Sequence, residues 1–129
     1  MTTLCTSNDP RNYGGLYPVA RKLVTVTIVD EATSGTSTAP INGRILAIIA
    51  DVPALTGSST IAIDIQDEDG TNLFAQKASL AESTKTRWDL QAAATPHGAV
   101  CCGTVTFKCT GSEAQTDGDK VINLIAYYI

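Results

Sequence analysis

Thr60-Ile-Ala-Ile-Asp-Ile-Gln-Asp-Glu-Asp-Gly-Thr-Asn-Leu-Phe74 is the stretch on which the fold of this chain turns. Successive side chains of a strand point to opposite faces, so Ile61, Ile63 and Ile65 share one face, and Asp69-Gly70 supplies a turn that sends the chain back. The residues spell a β-hairpin with one apolar side.

Outward from that hairpin the same period of two recurs. Upstream, residues 43–52 are apolar at nearly every position, which suits a strand covered on both sides or one lying in a subunit contact; Pro53 and Gly57 end it. Further back, Leu23-Val-Thr-Val-Thr-Ile-Val29 alternates apolar and Thr as a strand with one wet face does, and residues 31–40 form a Ser/Thr/Gly-rich loop. Downstream, Ser83-Thr-Lys-Thr-Arg-Trp-Asp-Leu90 alternates, Ala92-Ala-Ala-Thr-Pro-His-Gly98 breaks the pattern, and residues 100–110 (one strand or two adjoining ones) and 120–129 supply the last strands. Helix has room only at residues 75–82 and 90–94, where Ser79, Ser83 and Thr84 weaken it. Seven or eight short strands joined by Gly, Pro, Ser and Asp turns predict an all-β fold: a single-domain antiparallel β-sandwich, jelly-roll-like, over residues 21–129. Residues 1–20, with Asn8-Asp-Pro-Arg-Asn-Tyr-Gly-Gly15 and little periodicity, read as an irregular N-terminal arm.

Composition bounds the function. The chain has 129 residues, 43% of them apolar, enough for one core and too few for two ordinary domains. Its net charge of -4 and scattered basic residues exclude a nucleic-acid partner, which draws affinity from clustered Lys and Arg. Apolar runs such as Ile45-Leu-Ala-Ile-Ile-Ala50 fall short of the ~20 residues of a membrane helix, and the first twenty residues lack the basic start and apolar core of a secretion signal. The expectation is a soluble protein made in a cytoplasm. Four cysteines fit that setting: Cys101 and Cys109 would lie ~26 Å apart along one straight strand, too far to bridge. Adjacent Cys101 and Cys102 point to opposite faces, and Cys5 reaches a partner only if the arm folds back. Small buried thiols are the plain reading.

Each candidate site has a structural alternative. Asp64, Asp67, Glu68 and Asp69 are oxygen donors of the kind Ca²⁺ takes, but they lack the EF-hand spacing, and Asp and Gly in a tight turn need no metal. His97, Cys101 and Cys102 offer nitrogen and sulfur, yet neighbouring strand cysteines diverge where zinc needs convergence, and His97 has no orienting partner for thiol catalysis. Trp88, Tyr127 and Tyr128 suggest a sugar platform, but Trp88 lies on an alternating strand where a core or interface anchor is commoner, and the two tyrosines face opposite sides. No Gly-rich turn leads into a helix bearing a Lys, so there is no phosphate loop. The expectation is therefore no enzyme, no catalytic residue, no metal and no cofactor.

The run from Ile45 through Asp51-Val-Pro-Ala-Leu-Thr-Gly-Ser-Ser-Thr60 and the hairpin to Phe74, then Lys77-Ala-Ser-Leu-Ala-Glu-Ser-Thr84 and Gly103-Thr-Val-Thr-Phe107 to Tyr128, resembles small all-β virion structural proteins of tailed bacteriophages. The resemblance covers most of residues 20–129 and rests on strand-and-turn pattern, with no signature motif. It implies a capsid decoration (cement) protein on the virion surface, assembled in the host cytoplasm, that oligomerises, a trimer being one arrangement, and binds the major capsid protein or other virion proteins. A carbohydrate-binding module of a head fibre or tail, and a small head-completion or tail protein, are the alternatives. For the first role the expected contact residues are Tyr13, Leu16 and Tyr17 in the arm, Ile45 and Ile49 in the dense apolar strand, and Trp88 and Tyr127.

Overall fold

The computed structural model describes residues 2–4 and 19–129, with the backbone alone for residues 2–4. They form ten strands: β1 Thr2–Leu4, β2 Ala20–Ile28, β3 Ser34–Pro40, β4 Gly43–Val52, β5 Thr60–Gln66, β6 Lys77–Ala81, β7 Thr84–Asp89, β8 Ala99–Cys101, β9 Thr104–Gly111 and β10 Lys120–Tyr128. No helix occurs among the described residues, so none is long and apolar enough to cross a membrane. One sheet runs β1-β2-β10-β4-β7, with β8 pairing β4 beside β7; the other runs β3-β9-β5-β6, and every pairing is antiparallel. Set aside the two three-residue strands, and the remaining eight, numbered in chain order, read 1-8-3-6 and 2-7-4-5. That interleaving of two Greek keys is a jelly roll.

The alternation read from the sequence is what fills the space between the sheets. Val24, Val26 and Ile28 of β2, Ile122, Leu124 and Ala126 of β10, and Ile45, Ile48, Ala50 and Val52 of β4 point inward against Ile61, Ile63 and Ile65 of β5 and Val105, Phe107 and Cys109 of β9, all of them buried in one continuous core. At about 1.5–3 kcal/mol for each large apolar side chain removed from water, this cluster is the main force holding the two sheets face to face.

Two expectations, the loop over residues 31–40 and the helix-prone stretches, are corrected by the structure. Residues 34–40, expected as loop, are strand β3: its Ser34, Thr36 and Thr38 side chains face water while Ala39 is buried, and its backbone pairs with β9 from Ser34↔Thr110 to Pro40↔Thr104. Polar β-branched residues suit a half-wet edge strand as well as they suit a loop. Residues 77–81, expected as helix-prone, are strand β6, and residues 90–94 are not helical either; tertiary pairing with β5 overrides local propensity. At the arm, Thr2–Leu4 pairs antiparallel with Ala20, Arg21 and Lys22, and Ala20 opens β2. The segment 100–110, open between one strand and two, is two strands in different sheets. The chain leaves β8 and crosses at Cys102 and Gly103, where Gly103 has φ 94°, donates its N–H to the Asn42 side chain at 2.9 Å and accepts from Ile41 N–H at 3.0 Å.

Candidate interaction surface

The two outer faces of the sandwich differ in chemistry, and strand register shows how. On the outer face of β3, β9 and β5 the cross-strand rows are Thr38–Thr106–Gln66, Thr36–Lys108–Asp64 and Ser34–Thr110–Ala62. This is a field of hydroxyls. Asp64 is buried within it, accepting from Gln76 Nε2 at 2.9 Å and Asn72 Nδ2 at 3.4 Å. Beside it, Thr60, Gln76, Ser79, Thr110 and Ser112 line a shallow hollow of about 240 Å³.

On the outer face of the larger sheet the rows read differently. Ile129 exchanges backbone bonds with Arg44, which pairs with Val100. The next row is Arg21–Tyr127–Ala47–Asp89, followed by Leu23–Ile125–Ile49–Arg87, Thr25–Asn123–Asp51–Lys85, and finally Thr27–Val121. An apolar patch of Leu23, Ile125, Ile49, Ala47 and Tyr127 thus occupies two adjacent rows, with Leu23 57% exposed; the polar row of Thr25, Asn123, Asp51 and Lys85 separates it from Val121, 42% exposed, and Val100, 61% exposed, stands at the opposite end of the face. Near the centre of the patch Val19, Leu46, Ala47, Ile49, Arg87 and Tyr127 line a hollow of about 280 Å³. The hollow has a structural origin. Tyr127 pairs with Ala47 but Tyr128 with Ile45, so Leu46 is a bulge residue, and its carbonyl accepts from both Leu90 N–H and Gln91 N–H as β7 peels away. Charge sits at the margins: Arg87 Nε meets Asp89 Oδ1 at 2.6 Å, both well exposed.

Of the expected contact residues, Ile49 and Tyr127 lie on this face and border the same hollow. Ile45 and Trp88 do not, which corrects their assignment as surface contacts. Ile45 is fully buried on the inward phase of β4; Trp88 is 7% exposed, inward on β7, with its ring edge-on to Phe74 at 5.9 Å and 68°. A buried indole offers no face for a sugar. Tyr13, Leu16 and Tyr17 lie outside the described residues. Leu23, Leu46, Val121 and Ile125 were missed, although strand parity marks three of them: Leu23 shares its phase with Thr25 and Thr27, and Val121 and Ile125 share theirs with Asn123.

The groups weighed for chemistry have structural work. Asp67 Oδ1 accepts from Asp69 N–H and Thr71 N–H, both at 2.9 Å, closing the hairpin turn on itself, and Gly70 takes φ 82°. Glu68 Oε1 accepts from Thr104 N–H at 3.0 Å, tying that turn to the start of β9. Cys101 and Cys109 are buried and Cys102 is exposed, all three as free thiols. His97 Nδ1 lies 3.5 Å from an Arg44 guanidinium nitrogen. Among the described residues no three His, Cys, Asp or Glu side chains converge as metal ligands.

No protein-family model and no curated protein matches the sequence. Solved structures with a similar course of chain include a Bacillus endospore appendage described as a disulfide-linked pilus (12% identity, 86% of this chain and 89% of that one, TM-score 0.43). The capsid of Helicobacter pylori bacteriophage KHP30 is another (14% identity, 100% and 94%, TM-score 0.41). A third is a carbohydrate-binding module, TmCBM61, solved with a galactotriose (8% identity, 98% and 79%, TM-score 0.40). At these identities and scores the likeness assigns no function to this chain.

Proposed function

We propose that this chain is a non-enzymatic structural subunit of a tailed-bacteriophage virion, acting as a capsid decoration protein that associates through the outer face of its larger sheet. The observation that carries the proposal is the contrast between the two outer faces: an apolar patch of Leu23, Ile125, Ile49, Ala47 and Tyr127 on one side, hydroxyls on the other. A contiguous exposed apolar patch rimmed by charge is characteristic of a protein-contact surface. Its pattern of strands and turns resembles small all-β phage virion proteins, and assembly in a reducing cytoplasm suits three free thiols. Its mechanism is repetition: one modest contact per subunit, multiplied by the symmetry of a shell. The carbohydrate-binding alternative loses its Trp88 platform, and the hydroxyl-lined hollow on the other sheet has no aromatic wall on which a sugar ring could stack.

The test is to mix purified protein with undecorated capsids and count bound copies by quantitative mass spectrometry. Saturation at hundreds of copies per particle, lost in Leu23→Glu, is the expected result. A handful of copies would move the protein to a head-completion or tail position, and no binding at all would remove the decoration role.

A further inference from the structure

We infer that the hollow on the larger sheet receives an acidic segment of the partner protein, an apolar side chain set between carboxylates. The inference rests on the reading of this face as an assembly surface and names the chemistry of what it binds. Charge is spread unevenly over the molecule. Strand parity puts Arg21, Arg44, Lys85 and Arg87 on the outer face of the larger sheet with only two carboxylates, Asp51 and Asp89. That face is therefore positive by two, and since the chain as a whole carries -4, the rest of the molecule stands at -6.

The excess lies around the hollow. Asp51 sits beside Lys85 in the polar row, and the two offset each other. Arg87 lines the hollow from β7, Arg21 stands next to Tyr127 in its row, and Arg44 precedes the bulge at Leu46. Against these three guanidinium groups stands the single carboxylate of Asp89. It engages Arg87 through Nε at 2.6 Å, which leaves the two terminal nitrogens of that fork to donate elsewhere. Among the described residues Arg21 has no ion-pair partner, and the Arg44 guanidinium has the His97 ring nitrogen at 3.5 Å but no carboxylate.

Walls and rim together select the partner. Val19, Leu46, Ala47, Ile49 and Tyr127 give the hollow apolar walls, and its volume of about 280 Å³ admits a large apolar side chain. Arginine at such a rim takes a carboxylate in a planar, two-bond geometry. A cationic segment would be repelled, and a neutral one would leave guanidinium groups without partners as water is expelled. The same pattern orients approach, because an acidic partner is repelled by the rest of the molecule and drawn to this face. A lipid surface is the poorer match: the apolar groups line a recess, and Asp51 and Asp89 would face its phosphates.

Amide NMR titration of the isotope-labelled full chain with the end-blocked peptide Glu-Asp-Phe-Asp-Glu tests the proposal, with Gln-Asn-Phe-Asn-Gln as the uncharged control and thermal melts to check folding. Saturable shifts at Leu46, Ala47, Ile49 and Tyr127, with a Kd of roughly 1 mM, are expected from the acidic peptide alone. Arg87→Glu should weaken that binding at least about 10-fold and Arg21→Glu should weaken it as well, whereas Lys108→Gln on the hydroxyl face should leave it unchanged. Equal binding of the uncharged peptide, indifference to Arg87→Glu, or no shift at these four amides would overturn the acidic segment. Phosphatidylglycerol vesicles that bind the protein through Arg87 where the peptide does not would overturn it too, in favour of a lipid surface. Capsid binding that is lost in Leu23→Glu but kept in Arg87→Glu and Arg21→Glu would overturn the acidic segment and leave the decoration role standing. Peptide binding in the hollow without any binding to capsids would do the reverse.

Discussion

Burial pushes the Cys109 thiol up to about 12, helped by the nearby charge of Asp64, and pushes Cys101 up to about 11 against a smaller opposing effect from a hydrogen bond with the Ile45 backbone. A thiol becomes a nucleophile only as its thiolate, so at neutral pH these two are inert fillers of the core, whereas Cys102 lies exposed to reagents at the crossover between sheets. Iodoacetamide applied to the native protein and followed by peptide mapping should label Cys102 and spare Cys101 and Cys109; labelling of either before unfolding would contradict their burial. The same shifts set a pH dependence. The unfolded thiols ionise near their ordinary value of 9.0 while the folded ones hold their protons to about 11 and about 12, so the unfolded state is favoured as pH rises above 9. Urea unfolding at pH 8, 9 and 10 should show stability falling at up to about 1.4 kcal/mol per pH unit for each buried thiol, with a shallower fall in Cys109→Val.

Strands and turns carry different amounts of their own specification. The hairpin around Asp67 and Gly70, the inward phase of Ile61, Ile63 and Ile65, and the wet phase of Thr25 and Thr27 were legible because period two and turn chemistry are local. Strand β3 and the split between β8 and β9 were not, because each is fixed by a partner far along the chain, and the bulge at Leu46 that shapes the hollow exists only once β10, β7 and β4 have met. Nor could Gln115 be singled out in a polar loop, yet it is fully buried: its Oε1 accepts from Thr56 N–H at 2.9 Å and its Nε2 donates to Ser59 Oγ at 3.1 Å and Glu113 O at 3.0 Å, pinning the turn after β4 to the loop before β10. Gln115→Ala strands the Thr56 N–H and opens a cavity; about 2–4 kcal/mol of stability should disappear in urea titration. β3 passes so close to β2 at the sandwich edge that a Cβ on Gly35 would fall on the Thr27 carbonyl, a backbone atom that cannot swing aside. Gly35→Ala should therefore cost about 1–3 kcal/mol as overpacking does, whereas Gly70→Ala, where a Cβ meets nothing within 4 Å, strains only its own φ of 82° and should cost about 1–2 kcal/mol.

At the scale of the whole molecule, the larger sheet joins strands far apart in sequence: β2 pairs with β10 from Lys120↔Ile28 to Tyr128↔Ala20, and β10 pairs on its other side with β4. β10 is thus an interior strand of its sheet, and β1 a three-residue strand beside β2. Truncation at the two ends should have opposite outcomes. Removing residues 1–18 takes away only the short edge pairing of β1 among the described elements, and the remaining domain is expected to keep its far-ultraviolet β signature and dispersed amide NMR spectrum; particle binding, if the arm contributes to it as the expected contacts Tyr13, Leu16 and Tyr17 imply, should fall. Removing residues 120–129 deletes Ile122 and Leu124, both fully buried, together with Ala126 and Tyr128, and leaves the facing edges of β2 and β4 unpaired. At about 1.5–3 kcal/mol for each large side chain, with the unmade ladder added, the loss rivals the 5–15 kcal/mol that holds a typical domain together. The shortened chain should have no cooperative unfolding transition, and a cooperative melt from it would mean that β2 and β4 can close the sheet without the strand between them.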